Sequence, residues 1–183
     1  MKSYKLIIFF FLIFIFFLPT QSSQKTTLNQ LFNELIKIDN YKEAQIIEKK
    51  IWAIWHVHPK NIKLTEKLKL GTELMYEGSF IYALKIFDNI IYTDPQWSEG
   101  WNKRATLLFL MNDLTRSLED IEKVLILEPR HFGALSGKAR IFIKLQEYEK
   151  AIKCLKKTLK FYPSFKNGEL IIQIEKIIKE ESI

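Results

Sequence analysis

Residues 98–131 read SEGWNKRATLLFLMNDLTRSLEDIEKVLILEPRH, and this stretch decides the fold. We interpret it as two antiparallel helices joined by a short turn. The small residues Ala105 and Ser117, one in each predicted helix, let neighbouring helices approach to the usual separation of about 8–10 Å. Pro129 follows the second helix and ends it, because proline cannot continue a helix.

The same features recur along the chain with one fixed period, which lies in the range typical of helical repeat proteins. A proline ends the unit three times, and small residues recur in both helices in the same register: Pro95, Pro129 and Pro163; Gly71, Ala105 and Ala139; Ala83, Ser117 and Ala151. Three independent series with one period predict a repeat protein. Each of its units leaves an apolar face that a stacked neighbour has to cover.

This pattern resembles the tetratricopeptide repeat. In the central unit the resemblance is carried by apolar and small residues that end at a proline: Trp101, Ala105, Leu108, Ser117, Ile121, Val124 and Pro129. It implies an all-α fold, a right-handed α-solenoid of helix-turn-helix repeats, with three repeats at residues 64–163 (64–97, 98–131 and 132–163). Lys67, Arg104 and Lys138 depart from the pattern, because an apolar residue is common at their positions.

Two further segments flank the predicted repeats. Residues 25–60 are interpreted as a degenerate first repeat, with helical spacing of apolar residues on both sides of a turn at Asn40. Ala44 precedes Ala83 by more than one period, as expected of a longer terminal unit that caps the stack. Residues 164–183 are interpreted as a C-terminal capping helix with an apolar stripe that includes Ile171 and Ile174.

The first residues have the pattern of a signal peptide. Lys2 and Lys5 precede an unbroken apolar run, Leu6–Leu18, which is shorter than the roughly 20 residues of a membrane-spanning helix. We therefore predict that residues 1–22 are a signal peptide, with an uncleaved membrane anchor as the alternative. The body would then be exported, periplasmic or secreted. The segments WNKRAT and EPRHFGALSG, between Trp97 and Gly137, also resemble exported bacterial proteins of this class.

Composition limits the possible functions. The formal net charge of +7 would suggest a nucleic-acid partner for a cytosolic protein. An exported protein rarely meets nucleic acid, so we expect none, and contact with an anionic envelope surface stays open. The single cysteine, Cys154, excludes an internal disulfide. His56, His58 and His131 lack the partners of a metal or catalytic site, so we expect no metal, cofactor or enzymatic activity.

The resemblance also implies a ligand site. The first helices of such repeats line a concave groove, and the second, fifth, ninth and twelfth positions of each unit face it. The second positions are Thr65, Glu99 and Gly133. The residues that we predict to contact a ligand are Leu68, Thr72, Met75, Asn102, Thr106, Phe109, Ser136, Arg140 and Ile143.

These side chains suit a peptide, because Asn102 can pair with a peptide backbone and Arg140 can bind a carboxylate with two parallel hydrogen bonds. The predicted function is a non-catalytic scaffold or adaptor that binds a peptide or protein and is a monomer outside its complex. The alternative is a structural subunit of a larger cell-envelope complex, packed through its convex or terminal faces. A clamp for chaperone tails is not expected, because Leu68 and Thr72 stand where its charged and amide residues would begin.

The tryptophans allow two interpretations. Trp101 fills the tryptophan position of its unit and is expected in the core. Trp52 and Trp55, in the degenerate repeat, are predicted to pack under that unit or to face a partner.

Overall fold

The structure is a computed structural model that describes residues 21–181. Within that range the chain forms nine α-helices and no strand, which confirms the predicted all-α solenoid. The helices are α1 Gln21–Leu35, α2 Tyr41–Trp55, α3 Ile62–Tyr76, α4 Phe80–Thr93, α5 Ser98–Leu110, α6 Leu114–Leu127, α7 Phe132–Lys144, α8 Tyr148–Leu159 and α9 Asn167–Glu181.

The predicted signal peptide lies outside the described residues, apart from Gln21 and Ser22 at the start of α1. Among the helices of residues 21–181, none combines the length and the apolar character needed to cross a membrane.

Helices α3–α4, α5–α6 and α7–α8 form three hairpins that stack in chain order, α4 on α5 and α6 on α7. In every hairpin the turn holds one residue with a left-handed backbone at the same register: Gly78 (φ 79°), Asn112 (φ 64°) and Gln146 (φ 60°). The N–H of the following residue donates to the carbonyl five residues earlier, at 2.8 Å in each unit. This Schellman motif ends the first helix, so the backbone repeats with the same period as the sequence.

The second helices end beside the repeated prolines. Asp94 and Glu128 have extended backbones, with φ −142° and −138°, as expected for the residues before Pro95 and Pro129. After the last unit, Ile171 and Ile174 of α9 pack against α8 and cover its outer side.

The small residues allow close helix packing. A Cβ added at Gly71 would lie 2.7 Å from Cε1 of Phe87, whose ring is fully buried between α3 and α4. In the next unit, Ser117 donates its hydroxyl hydrogen to the Ala105 carbonyl at 2.7 Å, which satisfies a hydroxyl buried between α5 and α6. The helices therefore meet where the sequence has the least side-chain volume.

The charged residues that depart from the repeat pattern are held by polar groups of neighbouring second helices. Arg104 forms two parallel hydrogen bonds with Asp120, at 2.7 and 2.8 Å, and a third with Asp88 at 2.8 Å. These carboxylates raise the pKa of Arg104 further above its ordinary value. At the equivalent positions of the other two units, Lys138 pairs with Glu122, and Lys67 donates to Asn89. Polar pairs thus replace the usual apolar contact at these positions.

The hairpin of α1 and α2 does not cap the stack. Its apolar residues share a core with Phe132 and Tyr162, and the Trp55 carbonyl accepts a hydrogen bond from Nε1 of Trp97 at 3.1 Å. The prediction of a capping first unit is therefore wrong. The hairpin lies across the N-terminal ends of α5 and α7.

The sequence of α3 explains this placement. Gly100 brings α5 close to α4, because a Cβ there would lie 2.9 Å from Cγ2 of Ile90. The equivalent residue of α3, one period earlier, is Glu66. It is exposed, as are Lys63 and Leu70 on the same face. With no small residue to admit a preceding helix, α3 begins the solenoid and the N-terminal hairpin packs elsewhere.

Two glycine substitutions test this packing. Gly71→Ala should lower the free energy of unfolding by about 1–3 kcal/mol, because the buried Phe87 ring cannot move away cheaply. Gly137→Ala should raise it by up to about 1 kcal/mol, since its Cβ would meet only Cδ1 of Ile121 at 3.7 Å and alanine favours a helix. Urea denaturation measures both, and equal effects would contradict the packing described here.

Candidate functional site

A cavity of about 250 Å³ lies between α5 and α7, on the side of the solenoid that the first helices line. Five of the predicted groove residues border it: Asn102, Thr106, Phe109, Ser136 and Arg140. The fifth, ninth and twelfth positions of the third unit thus meet the fifth and ninth positions of the fourth unit in one site.

The other four predicted residues lie outside this cavity. Leu68 and Met75 are 3% and 2% exposed, because both pack into the core formed around Phe87 and Trp97. The prediction that they contact a ligand is corrected by this burial. Thr72 is half-buried and donates its hydroxyl hydrogen to the Leu68 carbonyl at 2.7 Å. Ile143 packs beside the core shared by α7, α8 and α9. Of the residues that the second unit was predicted to present to a ligand, two are therefore buried and the third is half-buried.

Helix α2 closes one end of the site. Trp52 borders the cavity and packs edge-on against Phe132, with ring centres 5.2 Å apart. Gly133 makes this possible, because a Cβ there would lie 2.5 Å from Cη2 of Trp52. One turn further along α2, Trp55 stacks on His131, with ring centres 4.1 Å apart and planes 8° from parallel. Trp52 therefore faces the groove, and Trp55 is buried against the turn before α7.

The segment from Trp52 to His58 covers the second position of every unit. Thr65 accepts a hydrogen bond from the His58 backbone N–H at 2.8 Å. Glu99 is fully buried, with Nε2 of His56 at 3.7 Å, and Gly133 lies under Trp52. This row of the predicted groove is occupied by the chain itself, and a ligand can reach only the rows beyond it.

The buried carboxylate of Glu99 organises the closed end. Oε1 lies 2.8 Å from Nε2 of His131, and Oε2 accepts from Nδ2 of Asn102 at 3.1 Å. Nδ1 of His131 accepts the backbone N–H of Ala134 at 3.1 Å. Since Nδ1 is an acceptor, the proton of the neutral ring is on Nε2 and is donated to Glu99. Asn102 is 7% exposed and serves this network first, so its predicted pairing with a peptide backbone is limited.

The environment of Glu99 favours its charged form. Burial by itself raises the pKa of this carboxyl, but the hydrogen bond from His131, together with nearby basic groups, outweighs burial and lowers the pKa to about 2. Burial, in contrast, lowers the pKa of His56. At neutral pH the closed end therefore holds a buried anion that is compensated mainly by hydrogen bonds.

His58 fixes the neighbouring turn in the same manner. Its Nδ1 accepts the backbone N–H groups of Lys60 and Asn61 at 3.1 and 2.9 Å, and its Nε2 lies 2.8 Å from Oδ2 of Asp94. His58 and His131 thus each connect the start of a helix to a carboxylate elsewhere in the fold. Within residues 21–181 no group of three or more His, Cys, Asp or Glu side chains could hold a metal ion.

The open part of the site combines a cation with aromatic surface. Arg140 is exposed and makes no ion pair or hydrogen bond with another side chain of the described residues. Phe109 borders the same cavity, and Nζ of Lys144 is 5.7 Å from the centre of its ring. Glu48 carries the opposing charge, but its oxygens accept from Nε1 of Trp52 at 3.3 Å and from the Tyr162 hydroxyl at 2.9 Å. The arrangement can bind a carboxylate next to an apolar group.

The lining residues that sequence reasoning did not predict include Glu48, Trp52 and Phe165. All three come from outside the three repeats, so no repeat position marks them. Glycine at a groove position, as at Gly133, was the available signal, because it leaves room for a side chain from another element. Cys154, the other reactive group weighed in the sequence, is buried in α8, and that burial raises the pKa of its thiol.

Comparisons with known proteins agree with this architecture. A sequence profile described as Tetratricopeptide repeat matches residues 133–165. A TPR repeat-containing protein of Rhizobium etli is 33% identical over 148 residues, which are 81% of this chain and 72% of that protein. An Hsp70-Hsp90 organizing protein of Triticum aestivum is 24% identical over 115 residues, 63% of this chain but 19% of that protein. The chain thus spans about a fifth of the wheat protein.

A solved structure has a similar fold. The first TPR of Spaghetti (RPAP3), bound to the HSP90 peptide SRMEEVD, superposes with a TM-score of 0.61 at 18% identity. The match covers 68% of this chain and 98% of that one. At this identity the likeness concerns the fold.

Gly133→Ala tests the docking of the N-terminal hairpin. The added methyl group should displace Trp52 and lower the free energy of unfolding by about 1–3 kcal/mol. Amide hydrogen exchange should accelerate in α1 and α2. Gly168→Ala is the control, because a Cβ there meets nothing within 4 Å. Unchanged exchange in α1 and α2 of the Gly133 variant would show that Trp52 does not lie against α7.

Glu99→Gln tests the buried anion. The pKa of Glu99 is lowered on folding, from 4.5 to about 2, so its contribution to stability is complete above pH 4.5 and is lost as the pH falls toward 2. The variant should be less stable than the wild type at pH 7, and the difference should shrink between pH 4.5 and 2. Urea denaturation across this range measures it. A difference that does not change with pH would mean that Glu99 is not a stabilised carboxylate.

Proposed function

Because the chain belongs to the tetratricopeptide-repeat family, we propose that it is a non-catalytic interaction module that binds a peptide or protein segment at the cavity between α5 and α7. The observation that carries the proposal is Arg140, which is exposed, borders the same cavity as Phe109 and has no side-chain partner among residues 21–181. A guanidinium and an aromatic ring that border one cavity suit a peptide carboxylate and an apolar group of the same peptide. The HSP90 peptide bound by a protein of similar fold supports a ligand of this class.

The ligand lies on the third and fourth units rather than along the whole groove. Leu68 and Met75 are buried, and the second position of each unit is covered by the segment from Trp52 to His58. Thr106 and Ser136, which both carry a hydroxyl group, border the cavity. The contact area is therefore short, which corresponds to a few residues of a peptide.

The site of action that we propose is outside the cytoplasm. Lys2, Lys5 and the apolar run Leu6–Leu18 support this by their resemblance to a signal peptide. The alternative of an uncleaved anchor leads to the same side of the membrane. An extracytoplasmic module that holds a partner segment needs no cofactor, and none enters the proposal.

Crosslinking in the producing cell tests the groove. Arg140→Glu should reduce the recovery of a captured partner by at least about tenfold, because it replaces attraction for a carboxylate by repulsion. The captured proteins are identified by mass spectrometry. Lys123→Glu is the matched control, since it makes the same charge change at an exposed position of α6, away from the cavity. Asn102 is left unchanged because it supports Glu99.

A partner that Arg140→Glu retains would favour the second candidate, a structural subunit that assembles through another face. The surface formed by the end of α3 and by α4 is the candidate for this other face, because it exposes three tyrosines. Tyr76, Tyr82 and Tyr92, at the end of α3 and along α4, are 66–88% exposed. Exposed tyrosines are typical of protein interfaces. In that case Tyr82→Ser with Tyr92→Ser should release the partner instead.

A further inference from the structure

The basic charge of the chain is concentrated in the fourth unit and the segment that follows it. Residues 132–166 contain nine Lys and Arg but only two Asp and Glu, a net charge of +7 that equals the net charge of the whole chain. The charges of all other residues therefore balance. An excess confined to one unit creates a local positive potential, which attracts anionic surfaces.

Helix α8 and the residue that ends it present part of this charge along one side. The buried residues of α8 face its neighbours α7 and α9, whereas Lys153, Lys157 and Lys160 are exposed. Residues spaced in this way, four and then three apart, lie on the same side of a helix. The step from Lys153 to Lys160 spans about 10 Å along the helix axis. We refer to these three side chains as the lysine face.

The lysine face lacks the carboxylate partners that other lysines of α8 have. Lys156 donates to Glu175 of α9 at 3.3 Å. Lys150 forms an ion pair with Glu147 at 2.6 Å. No ion pair or side-chain hydrogen bond joins the three lysines of the lysine face to another residue among 21–181. Glu149 is the single acidic residue of α8, so this side of the helix keeps an excess of positive charge.

The chain also carries a segment that meets a lipid bilayer. The apolar run Leu6–Leu18 has the pattern of a signal peptide or of an uncleaved anchor, and both enter a membrane. Helix α1 follows, and its Phe32 packs edge-on against Phe161, with ring centres 6.0 Å apart. Phe161 comes directly after Lys160. The lysine face thus reaches the point where α1 meets α8, about 17 Å of helix beyond the start of α1.

The residue type indicates the kind of partner. The basic residues of α8 are all lysines. An ammonium group is a compact point charge, whereas a guanidinium fits one carboxylate or phosphate with two parallel hydrogen bonds. A row of ammonium groups therefore favours a dense anionic surface over a single anion. Anionic lipid headgroups form such a surface, and each lysine near it adds to the attraction within a Debye length of about 10 Å.

We propose that the lysine face docks on the phosphate groups of anionic lipids at the surface of the membrane. This inference goes beyond the proposed function, because none of the residues that border the cavity between α5 and α7 belongs to α8. A partner can therefore occupy the cavity while α8 rests on the membrane. Lys166, whose Nζ is 4.6 Å from the ring centre of Tyr41, extends the basic surface toward α2.

Lysine acylation with an N-hydroxysuccinimide ester, read by mass spectrometry, tests this docking. The full chain, with residues 1–22 retained, is purified in a mild detergent and transferred to lipid nanodiscs. One preparation contains phosphatidylcholine alone, and the other contains about 30% phosphatidylglycerol as the anionic lipid. Because the apolar run holds the chain on both kinds of disc, the comparison reports the orientation of the body and not the binding of the leader.

In the anionic discs, the acylation rates of the lysine face should fall at least about threefold, because docked ammonium groups are shielded by the headgroups. Lys69 and Lys85, exposed on α3 and α4 at the other end of the stack, should react equally in both kinds of disc. NaCl at about 0.5 M should abolish the difference, since the Debye length then falls to about 4 Å.

Lys157→Gln with Lys160→Gln removes two charges from the lysine face without disturbing the core, because both side chains are exposed. The protection of Lys153 in anionic discs should then fall by at least about half, since each lysine contributes to the attraction. Lys69→Gln with Lys85→Gln is the matched control. It removes the same charge from the second unit and should leave the protection of Lys153 unchanged.

Equal acylation of the lysine face in both kinds of disc, or protection of Lys69 and Lys85 to the same degree, would overturn the proposal. Membranes isolated from the producing cell provide a second check. A lysine face that is protected there but reacts freely in anionic discs would show that an acidic protein or polymer covers it, and docking on lipid would be wrong. None of these outcomes depends on Arg140, so crosslinking tests the proposed function separately.

Discussion

A two-helix unit cannot bury its own apolar face, and the rest of this structure depends on that constraint. The three repeats solve the problem by stacking, with contact at the least bulky positions, such as Gly100 of α5 against Ile90 of α4. The last unit is covered by α9. The N-terminal hairpin has the same need, but the face of α3 offers it Glu66 and Lys63. It buries its apolar residues instead against Phe132 and Tyr162, at the edge where the units join.

Much of the fold could be predicted from the sequence because it repeats. Pro95, Pro129 and Pro163 fix the register, and each small residue then has a defined neighbour. The groove was predicted less well. Position in a repeat says which side a residue faces, but it does not say whether the next unit covers it, as happens at Leu68 and Met75. The hairpin could not be placed, because Trp52 contacts Phe132 and Glu48 contacts Tyr162 at the two ends of the fourth unit, with no shared period to connect them.

The hairpin changes the character of the groove. A stack of three repeats alone would present an open trough lined by first helices. Here Trp52 and Phe165 border the groove at one end, and Glu99 is a buried anion at that end, held by His131 and Asn102. Such a carboxylate is expensive to bury and requires all of its partners, so the closed end is well defined. Rigid surroundings of this kind favour selectivity for shape.

The hydrogen bond between Glu48 and Tyr162 joins residues 114 positions apart in the chain. Solenoids of this class ordinarily hold contacts between sequence neighbours, so terminal units can fray while the rest stays folded, and stability is close to a sum over units. A contact that ties the first hairpin to the end of the last unit joins the two ends of that linear array. Opening any one unit strains the closure, and unfolding becomes cooperative over the whole body. The long-range contact also raises contact order, so this chain should fold more slowly than an open stack of equal length.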